Sequence, residues 1–194
     1  MGEIALMESI NSALHGSEFI TTIVKNITML GEWGSVWLLL GFVMLFSKKT
    51  RVPGLVMLGS LALGFFLNDF IIKKIFMRPR PFQQSAEILA WLETTGYKLP
   101  TGFSFPSGHT LCSFACAGVC LSMFGKRGLP ALSVAILIGL SRIYMCVHFT
   151  TDVLTGAVIG LLISRVVMWY YNTFWPKISR WLYKQKFNLK AKKQ

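Results

Sequence analysis

Apolar residues are concentrated in five stretches of the chain, with short polar or charged stretches between them. A helix needs about 20 mostly apolar residues to cross the hydrocarbon core of a bilayer, and each stretch approaches that length with few charges. The pattern predicts an all-α integral membrane protein whose residues 33–172 form one bundle of five transmembrane helices. The predicted crossings are residues 33–47, 54–72, 107–124, 129–147 and 153–172.

Residues 1–32 have a different pattern, because acidic and amide side chains interrupt their apolar positions. Ile4, Met7 and Ile10 recur near helical spacing, which is typical of an amphipathic helix that lies in the membrane interface. Gly16 is expected to break this segment into two pieces. The alternative for this N-terminal segment is a sixth crossing of the bilayer.

The charge of the chain is strongly positive, with a formal net charge of +12 and a sequence pI of about 9.8. In a soluble protein this charge would suggest nucleic-acid binding. Here the basic residues flank hydrophobic stretches, where they set orientation and meet anionic headgroups. We therefore expect a bilayer with anionic lipids as the partner, and no nucleic acid.

Basic residues also predict the orientation, because they favour the cytoplasmic side. With five crossings, loop 48–51, turn 126–127 and the basic tail 173–194 all lie on one side, which we assign to the cytoplasm. Segment 73–106 and the turn near His148 then share the extracytoplasmic face of the cell membrane. Segment 73–106 is itself basic, which the rule disfavours outside, and a functional need for its charges would account for this.

Three cysteines recur every four residues on one predicted helix face, at Cys112, Cys116 and Cys120. A zinc site needs paired ligands in a polar setting, and these residues lie in an apolar run. The pattern favours small packing residues in the helix bundle. We expect no metal site.

Three polar clusters fall on the predicted extracytoplasmic face. They are Lys73 with Arg80-Pro81, then Pro106-Ser107-Gly108-His109, then Ser141-Arg142 with His148 and Asp152. A phosphoryl group in its transition state spreads negative charge over three oxygens, which nearby cations stabilise. Lys73, Arg80 and Arg142 are candidates for that role.

The remaining residues of the clusters complete a possible phosphate-transfer site. Ser107 and Gly108 precede a predicted helix, whose free N–H groups can bind an anion. His148 and Asp152 are four residues apart and share one face of a helical turn, so the carboxylate can orient the imidazole and activate it as a nucleophile. His109 is then free to donate a proton.

Simpler explanations exist for part of this pattern. The four basic residues between positions 73 and 80 are by themselves typical of interfacial anchors. Arg142 is different, because a charge inside an apolar run is costly and indicates function. Asp69 raises the same question, and it either pairs with the basic cluster or takes part in catalysis. Gly156 and Gly160 indicate close helix packing.

The clusters, in their order and spacing, resemble the signature of the type-2 phosphatidic acid phosphatase superfamily, over roughly residues 54–170. The family pattern is K-x6-R-P, P-S-G-H and S-R-x5-H-x3-D, and this chain has every fixed position. The resemblance implies that Lys73, Arg80, Ser107, Gly108 and Arg142 bind phosphate. It also implies that His148 attacks phosphorus with help from Asp152, that His109 protonates the leaving group, and that no metal or other cofactor is required.

The resemblance further implies a hydrolase that acts on a lipid phosphate or diphosphate through a phosphohistidine intermediate. Undecaprenyl diphosphate is the favoured substrate, with phosphatidylglycerophosphate and phosphatidic acid as alternatives. Transfer of the phosphoryl group to another lipid is a second possibility. A non-enzymatic lipid-phosphate binder or transporter is a third, and the presence of both His148 and Asp152 argues against it. The sequence leaves the oligomeric state open.

Overall fold

The described part of the chain, residues 2–14 and 17–191 of a computed structural model, is helical and contains no strand. The helices are α1 (Glu3–Leu14), α2 (Glu18–Leu30), α3 (Ser35–Leu45), α4 (Arg51–Phe66), α5 (Lys73–Phe76), α6 (Ala86–Thr94), α7 (Gly108–Phe124), α8 (Leu129–Tyr144) and α9 (Thr150–Ala191). A π-helical turn, Leu67–Ile72, joins α4 to α5 without interruption. The expectation of an all-helical protein is therefore confirmed for the described residues.

Three helical segments of the described chain are long and apolar enough to cross a membrane, and a bent pair gives a fourth. The three are Arg51–Gln83, Gly108–Tyr144 and Thr150–Arg180, and the pair is Glu18–Leu30 with Glu32–Leu45, bent by 49°. The bend has a local cause, since Trp33 and Gly34 both have positive φ angles, 52° and 68°. Many large apolar side chains point outward, as expected for lipid contact, and Phe46 is 92% exposed.

The segment Gly108–Tyr144 doubles back on itself at a tight turn, Gly125–Gly128. Gly139 of α8 lies against the methyl group of Thr110 in α7, so the two helices are antiparallel. Gly128 permits the turn, because a Cβ at this position would lie 2.6 Å from the backbone of Cys120. Helices α7 and α8, with 17 and 16 residues, are each about 25 Å long at 1.5 Å per residue.

Helix α7 forms the centre of the bundle and packs closely against α9. A Cβ at Gly156 would lie 2.8 Å from the carbonyl oxygen of Ser107, and one at Gly160 would lie 2.3 Å from that of Leu111. Small residues at these positions let the two backbones approach. Cys112, Cys116 and Cys120 are buried in the same core, as the packing interpretation predicted.

Two segments are more helical than the sequence suggested. The polar segment 73–106 contains α5 and α6. Helix α9 also continues through Pro176, where we expected the basic tail to begin, so no helix end marks a boundary at residue 173. Proline removes one backbone hydrogen bond, but aromatic pairs four residues apart span this turn. Tyr170 lies 4.5 Å from Phe174, and Tyr171 lies 5.9 Å from Trp175, between ring centroids.

The N-terminal helices α1 and α2 pack onto the bundle. Met7 of α1 and Thr28 of α2 are fully buried. Gly16, the residue expected to separate the two helices, lies outside the described residues. Because α1 and α2 contact α8, they lie beside the end of the bundle that carries the polar clusters.

Candidate active site

The three polar clusters meet at one end of the bundle because α7 begins there, α8 ends there and α9 begins there. Residues 145–149 join α8 to α9 and carry His148. Ser107, the N-cap of α7, donates its backbone N–H to the carbonyl oxygen of Asp152, at 3.1 Å. Segments distant in sequence are thereby fixed against each other, and all eight residues predicted for the site lie at this end.

The geometry around His148 assigns different roles to its two ring nitrogens. Nη1 of Arg80 lies 3.1 Å from Nε2 of His148. A guanidinium can only donate, so Nε2 accepts and the proton of the neutral ring resides on Nδ1. Nδ1 lies 3.6 Å from Oδ2 of Asp152. The lone pair of Nε2 therefore points toward a cation, and the protonated nitrogen faces the carboxylate.

Asp152 is fully buried and both of its oxygens accept hydrogen bonds. Oδ2 accepts from the hydroxyl of Ser104 and from the N–H of Phe149, the latter at 2.9 Å. Oδ1 accepts from Nη1 of Arg78, at 2.8 Å. A buried carboxylate is stable only when it is paired and hydrogen-bonded, and this one is held from three sides.

His148 is also buried, with 2% of its surface exposed. Burial lowers the pKa of His148 well below its usual value, and the positive charges of Arg80, Arg142 and Lys73 lower it further. The imidazole is therefore neutral near pH 7, which is the form that can act as a nucleophile.

Arg80 is held rigidly by backbone carbonyl groups of two loops. Its guanidinium donates to the carbonyl oxygens of Gly102 at 3.0 Å, Val147 at 2.9 Å and Thr101 at 3.2 Å. Its side chain is 2% exposed. These bonds orient the guanidinium so that one of its nitrogens faces His148.

Lys73 and Gly108 lie together beside the N-terminus of α7. A Cβ at Gly108 would lie 2.7 Å from Nδ2 of Asn68 and 3.8 Å from Nζ of Lys73. Nζ of Lys73 donates to Oδ1 of Asp69 at 2.7 Å. Asp69 thus pairs with the basic cluster, the first of the two explanations considered for it.

Arg142 is 1% exposed. It forms hydrogen bonds with side chains of α2 and of the loop after α6. Its Nη1 donates to the hydroxyl oxygens of Thr28 and Tyr97, the latter at 2.8 Å. Its Nε has no partner within the described part of the protein. A buried guanidinium with a spare N–H group can accept an anion without losing its existing support.

His109 lies in the first turn of α7, next to the bend between α2 and α3. Its ring is packed so closely against Gly31 that a Cβ there would lie 2.7 Å from Cδ2 of the imidazole. His109 is partly exposed. The residues that the structure describes include no group of three or more histidine, cysteine or acidic side chains placed to hold a metal ion.

Several residues of the site were missed by sequence reasoning. The basic run that contains Arg78 is typical of interfacial anchors. The position of Arg78 two residues before Arg80 is the one sequence signal that Arg78 belongs to the site. Ser104, Thr28 and Tyr97 carry no local signal, because each contacts a residue at least 44 positions away. Their role depends on the tertiary fold.

A buried histidine–aspartate pair beside several cations, at one end of an apolar helical bundle, defines a membrane protein equipped to act on phosphate groups. The chain belongs to the PAP2 superfamily, whose sequence profile matches residues 53–176. The family predicted from the three clusters is therefore confirmed, and the prediction that the chain is a phosphatase is supported by the names of its relatives.

Curated relatives include phosphatases with different lipid substrates. Phosphatidylglycerophosphatase B of Bacillus subtilis is 32% identical over 164 residues, covering 77% of this chain and 74% of that protein. Decaprenylphosphoryl-5-phosphoribose phosphatase of Mycobacterium tuberculosis is 27% identical and covers 86% of this chain and 89% of its own length. Undecaprenyl-diphosphatase of Sulfolobus acidocaldarius is 29% identical, covering 75% and 69%.

Solved structures agree with this assignment. The transmembrane PAP2-type phosphatidylglycerolphosphate phosphatase from Bacillus subtilis has a TM-score of 0.68 and 27% identity, over 88% of this chain and 84% of that one. LpxE from Aquifex aeolicus has a TM-score of 0.61 and 29% identity, over 84% and 93%. These relatives and the apolar helices identify the chain as a membrane protein.

Proposed function

We propose that this chain hydrolyses a lipid phosphate or diphosphate through a phosphohistidine intermediate on Nε2 of His148. The observation that carries the proposal is the arrangement of Arg80, His148 and Asp152. The cation lies 3.1 Å from Nε2, and the carboxylate lies 3.6 Å from Nδ1 on the other side of the ring. An imidazole held between a phosphate-binding cation and a carboxylate is suited to attack phosphorus.

In the first step, Nε2 of His148 forms a bond to phosphorus while the bond from phosphorus to the leaving oxygen breaks. His109 gives that oxygen its proton, so the dephosphorylated lipid leaves neutral at this oxygen. Asp152 stabilises the positive charge that the imidazole gains. In the second step, water attacks phosphorus, His109 takes a proton from it, the P–N bond breaks, and inorganic phosphate leaves.

The binding of phosphate is assigned to Lys73, Arg80 and Arg142, with Ser107 and Gly108 at the N-terminus of α7. Arg80 contributes the N–H that faces Nε2 of His148. A bound phosphate oxygen can accept this hydrogen bond in place of Nε2, which leaves the lone pair of Nε2 free to attack phosphorus. Lys73 is within reach of Gly108 and is shared with Asp69. The cations supply the charge stabilisation that metal ions supply in many other phosphatases.

Undecaprenyl diphosphate remains the first candidate for the substrate, with phosphatidylglycerophosphate and phosphatidic acid as alternatives. The relatives are named for both kinds of lipid, so a panel is the appropriate assay. Purified protein is given each lipid at equal mole fraction in detergent, and phosphate release is measured as kcat/KM. Addition of an acceptor lipid alcohol tests transfer, because a phosphotransferase would form phosphorylated acceptor in place of free phosphate.

Five crossings with the site outside the cytoplasm are part of this proposal. The antiparallel reversal at Gly125–Gly128 and the bent pair α2–α3 support that number. Single cysteines at exposed Lys98 and exposed Lys126 can be labelled in intact cells with an impermeant thiol reagent. We expect labelling at position 98 alone. Labelling at position 126 alone would place the site on the cytoplasmic side.

The two histidines can be separated by the leaving group. His148→Ala should be inactive on a lipid phosphate and on nitrophenyl phosphate, because both need the nucleophile. His109→Ala should lose about 10²–10⁴-fold on the lipid, where a positioned acid assists an alkoxide, and much less on nitrophenyl phosphate, whose leaving group needs no proton. Equal losses of kcat/KM on both substrates would contradict the role of His109.

A further inference from the structure

Arg78 occupies a central position between two carboxylates, although it is not one of the residues predicted to bind phosphate. Its Nη1 donates to Oδ1 of Asp152 and to the hydroxyl of Thr151, both at 2.8 Å, and its Nη2 donates to the carboxylate of Glu3. Its guanidinium also lies 3.9 Å above the ring of Phe149. The side chain is therefore fixed from several directions.

We propose that Arg78 is a positioning residue for the His148–Asp152 pair and that Glu3 of the N-terminal helix holds Arg78 in place. The inference rests on the proposed nucleophilic role of His148. Under this proposal, Arg78 supports catalysis without binding phosphate, and so does α1, a helix that the sequence pattern predicted to lie in the membrane interface.

Arg78 helps to fix the orientation of the Asp152 carboxylate. Oδ2 faces Nδ1 of His148, while Oδ1 is held by Arg78 alone among the hydrogen bonds described for this oxygen. Rotation of the carboxylate would break the bond to Arg78. Together with Ser104 and the N–H of Phe149, which donate to Oδ2, Arg78 therefore keeps Oδ2 directed at the imidazole, and the imidazole keeps the proton on Nδ1.

Arg78 also balances the charge of Asp152. Asp152 is completely buried, and a buried carboxylate without a counterion is costly and tends to take up a proton. A protonated Asp152 would no longer stabilise the positive charge that forms on His148. Arg78 supplies a counterion at Oδ1, the oxygen that does not face the imidazole, so the buried negative charge is paired without a direct contact between Arg78 and the reacting ring.

Glu3 limits how strongly Arg78 neutralises Asp152. If Arg78 paired with Asp152 alone, it would withdraw much of the negative charge that Asp152 offers to His148. Glu3 shares the guanidinium, and Thr151 donates to Oε1 of Glu3 at 2.7 Å. Burial alone would raise the pKa of Glu3, but the hydrogen bonds from Thr151 and Arg78 more than offset this and lower it. Glu3 is therefore anionic at neutral pH.

The placement of α1 supports the same conclusion. Met7 is fully buried against the segment that carries His148, and its carbonyl oxygen lies 3.9 Å from Sγ of Cys146. Helix α1 thus supports residues 145–149 by packing and supports Asp152 through the Glu3–Arg78 pair.

The test uses the full-length protein in detergent with Arg78→Gln, Arg78→Lys and Glu3→Gln. Lys98→Gln and Glu93→Gln are matched controls, since they make the same charge changes at exposed positions. For each variant, kcat and KM are measured on nitrophenyl phosphate and on a lipid phosphate. Vanadate inhibition is measured in parallel, because it reports whether the phosphate-binding cations remain in place.

We expect Arg78→Gln to lower kcat on both substrates by about 10²-fold, the loss typical of a misplaced catalytic group. KM and vanadate inhibition should be unchanged, since Arg78 does not belong to the phosphate-binding set. Arg78→Lys should keep more activity, because it preserves the counterion. Glu3→Gln should lose about 2- to 5-fold, as for a partly exposed ion pair. Both controls should match the wild type.

The decisive comparison repeats Arg78→Gln in an Asp152→Asn background. If Arg78 acts through Asp152, the second substitution should cause little further loss of kcat. Equal losses in both backgrounds, or wild-type kcat for Arg78→Gln, would overturn the inference. Should Arg78→Gln fail to fold, unchanged kcat for both Arg78→Lys and Glu3→Gln would overturn it. Activity that survives in His148→Ala would instead refute the proposed function itself.

Discussion

Replacing Arg80 by lysine tests whether the guanidinium is needed for its shape or only for its charge. Arg80 makes three hydrogen bonds to backbone carbonyl groups, at 2.9 to 3.2 Å, and directs a nitrogen at Nε2 of His148 from 3.1 Å. A lysine ammonium has a single nitrogen and cannot span carbonyl groups of two loops. The charge is retained in Arg80→Lys, and the orientation is lost.

The expected loss follows from the number of bonds broken. A hydrogen bond to a charged group contributes about 1.5–3 kcal/mol, and at least two of the three carbonyl bonds cannot be remade. If only one such bond contributes to the transition state, kcat/KM falls about 10- to 100-fold, because about 1.4 kcal/mol corresponds to a factor of ten. The thermal midpoint should also fall, since the buried carbonyl group of Val147 loses a donor.

The assay is phosphate release from nitrophenyl phosphate and from a lipid phosphate, combined with thermal unfolding in detergent. Arg127→Lys, at an exposed site in the turn Gly125–Gly128, is the matched control and should behave as the wild type. If Arg80→Lys kept more than about one third of the wild-type kcat/KM, charge alone would suffice and the geometric argument would be refuted.

Three further predictions follow from the site. Gly108→Ala should lower kcat/KM, because the new Cβ would lie 2.7 Å from Nδ2 of buried Asn68, whereas Gly59→Ala, with no atom within 4 Å, should be neutral. Because the pKa of His148 is lowered, folding favours its neutral form. The contribution of His148 to the free energy of unfolding should be complete above its pKa in the unfolded chain, about 6.5, and should be lost progressively as the pH falls below that value. Thermal midpoints of the wild type and His148→Ala between pH 8 and pH 5 measure this loss. Activity should persist in excess chelator, because Lys73, Arg80 and Arg142 supply the positive charge. Loss of turnover that added metal restores would contradict this role of the three cations.

Much of the helical architecture could be predicted because its signals are local. The predicted crossing 107–124 agrees closely with α7, Gly108–Phe124, and the predicted crossing 129–147 contains α8, Leu129–Tyr144. The first predicted crossing, 33–47, contains α3, Ser35–Leu45. The apolar stretch also extends upstream into α2. Positive φ angles at Trp33 and Gly34 bend the chain between α2 and α3.

The family signature predicted eight site residues, but the contacts that hold them in place could not be predicted. Arg78 joins Asp152, 74 positions away, and Glu3, 75 positions away. Thr28 supports Arg142 across 114 positions. The contacts of Glu3 and Thr28 depend on how α1 and α2 pack against the bundle, and that of Arg78 with Asp152 depends on how the segment after α5 lies against α9. Residue spacing carries no information about this packing.

The continuation of α9 past Pro176 also could not be predicted from the sequence. Pro176 is a local signal for a helix end, yet α9 continues through it, and aromatic pairs four residues apart span this turn. One of them, Tyr171 with Trp175, has stacked rings. Tertiary and side-chain contacts of this kind routinely outweigh local propensity.

The central claim is that phosphate is transferred to Nε2 of His148 before water releases it. Rapid acid-free quenching of the enzyme during turnover of a radiolabelled lipid phosphate, followed by peptide mapping under alkaline conditions, measures this directly. The account predicts an acid-labile, alkali-stable phosphoryl group on the peptide that contains His148, and none in His148→Ala. A phosphoryl group on another residue, or full turnover with no phosphoenzyme at any quench time, would contradict it.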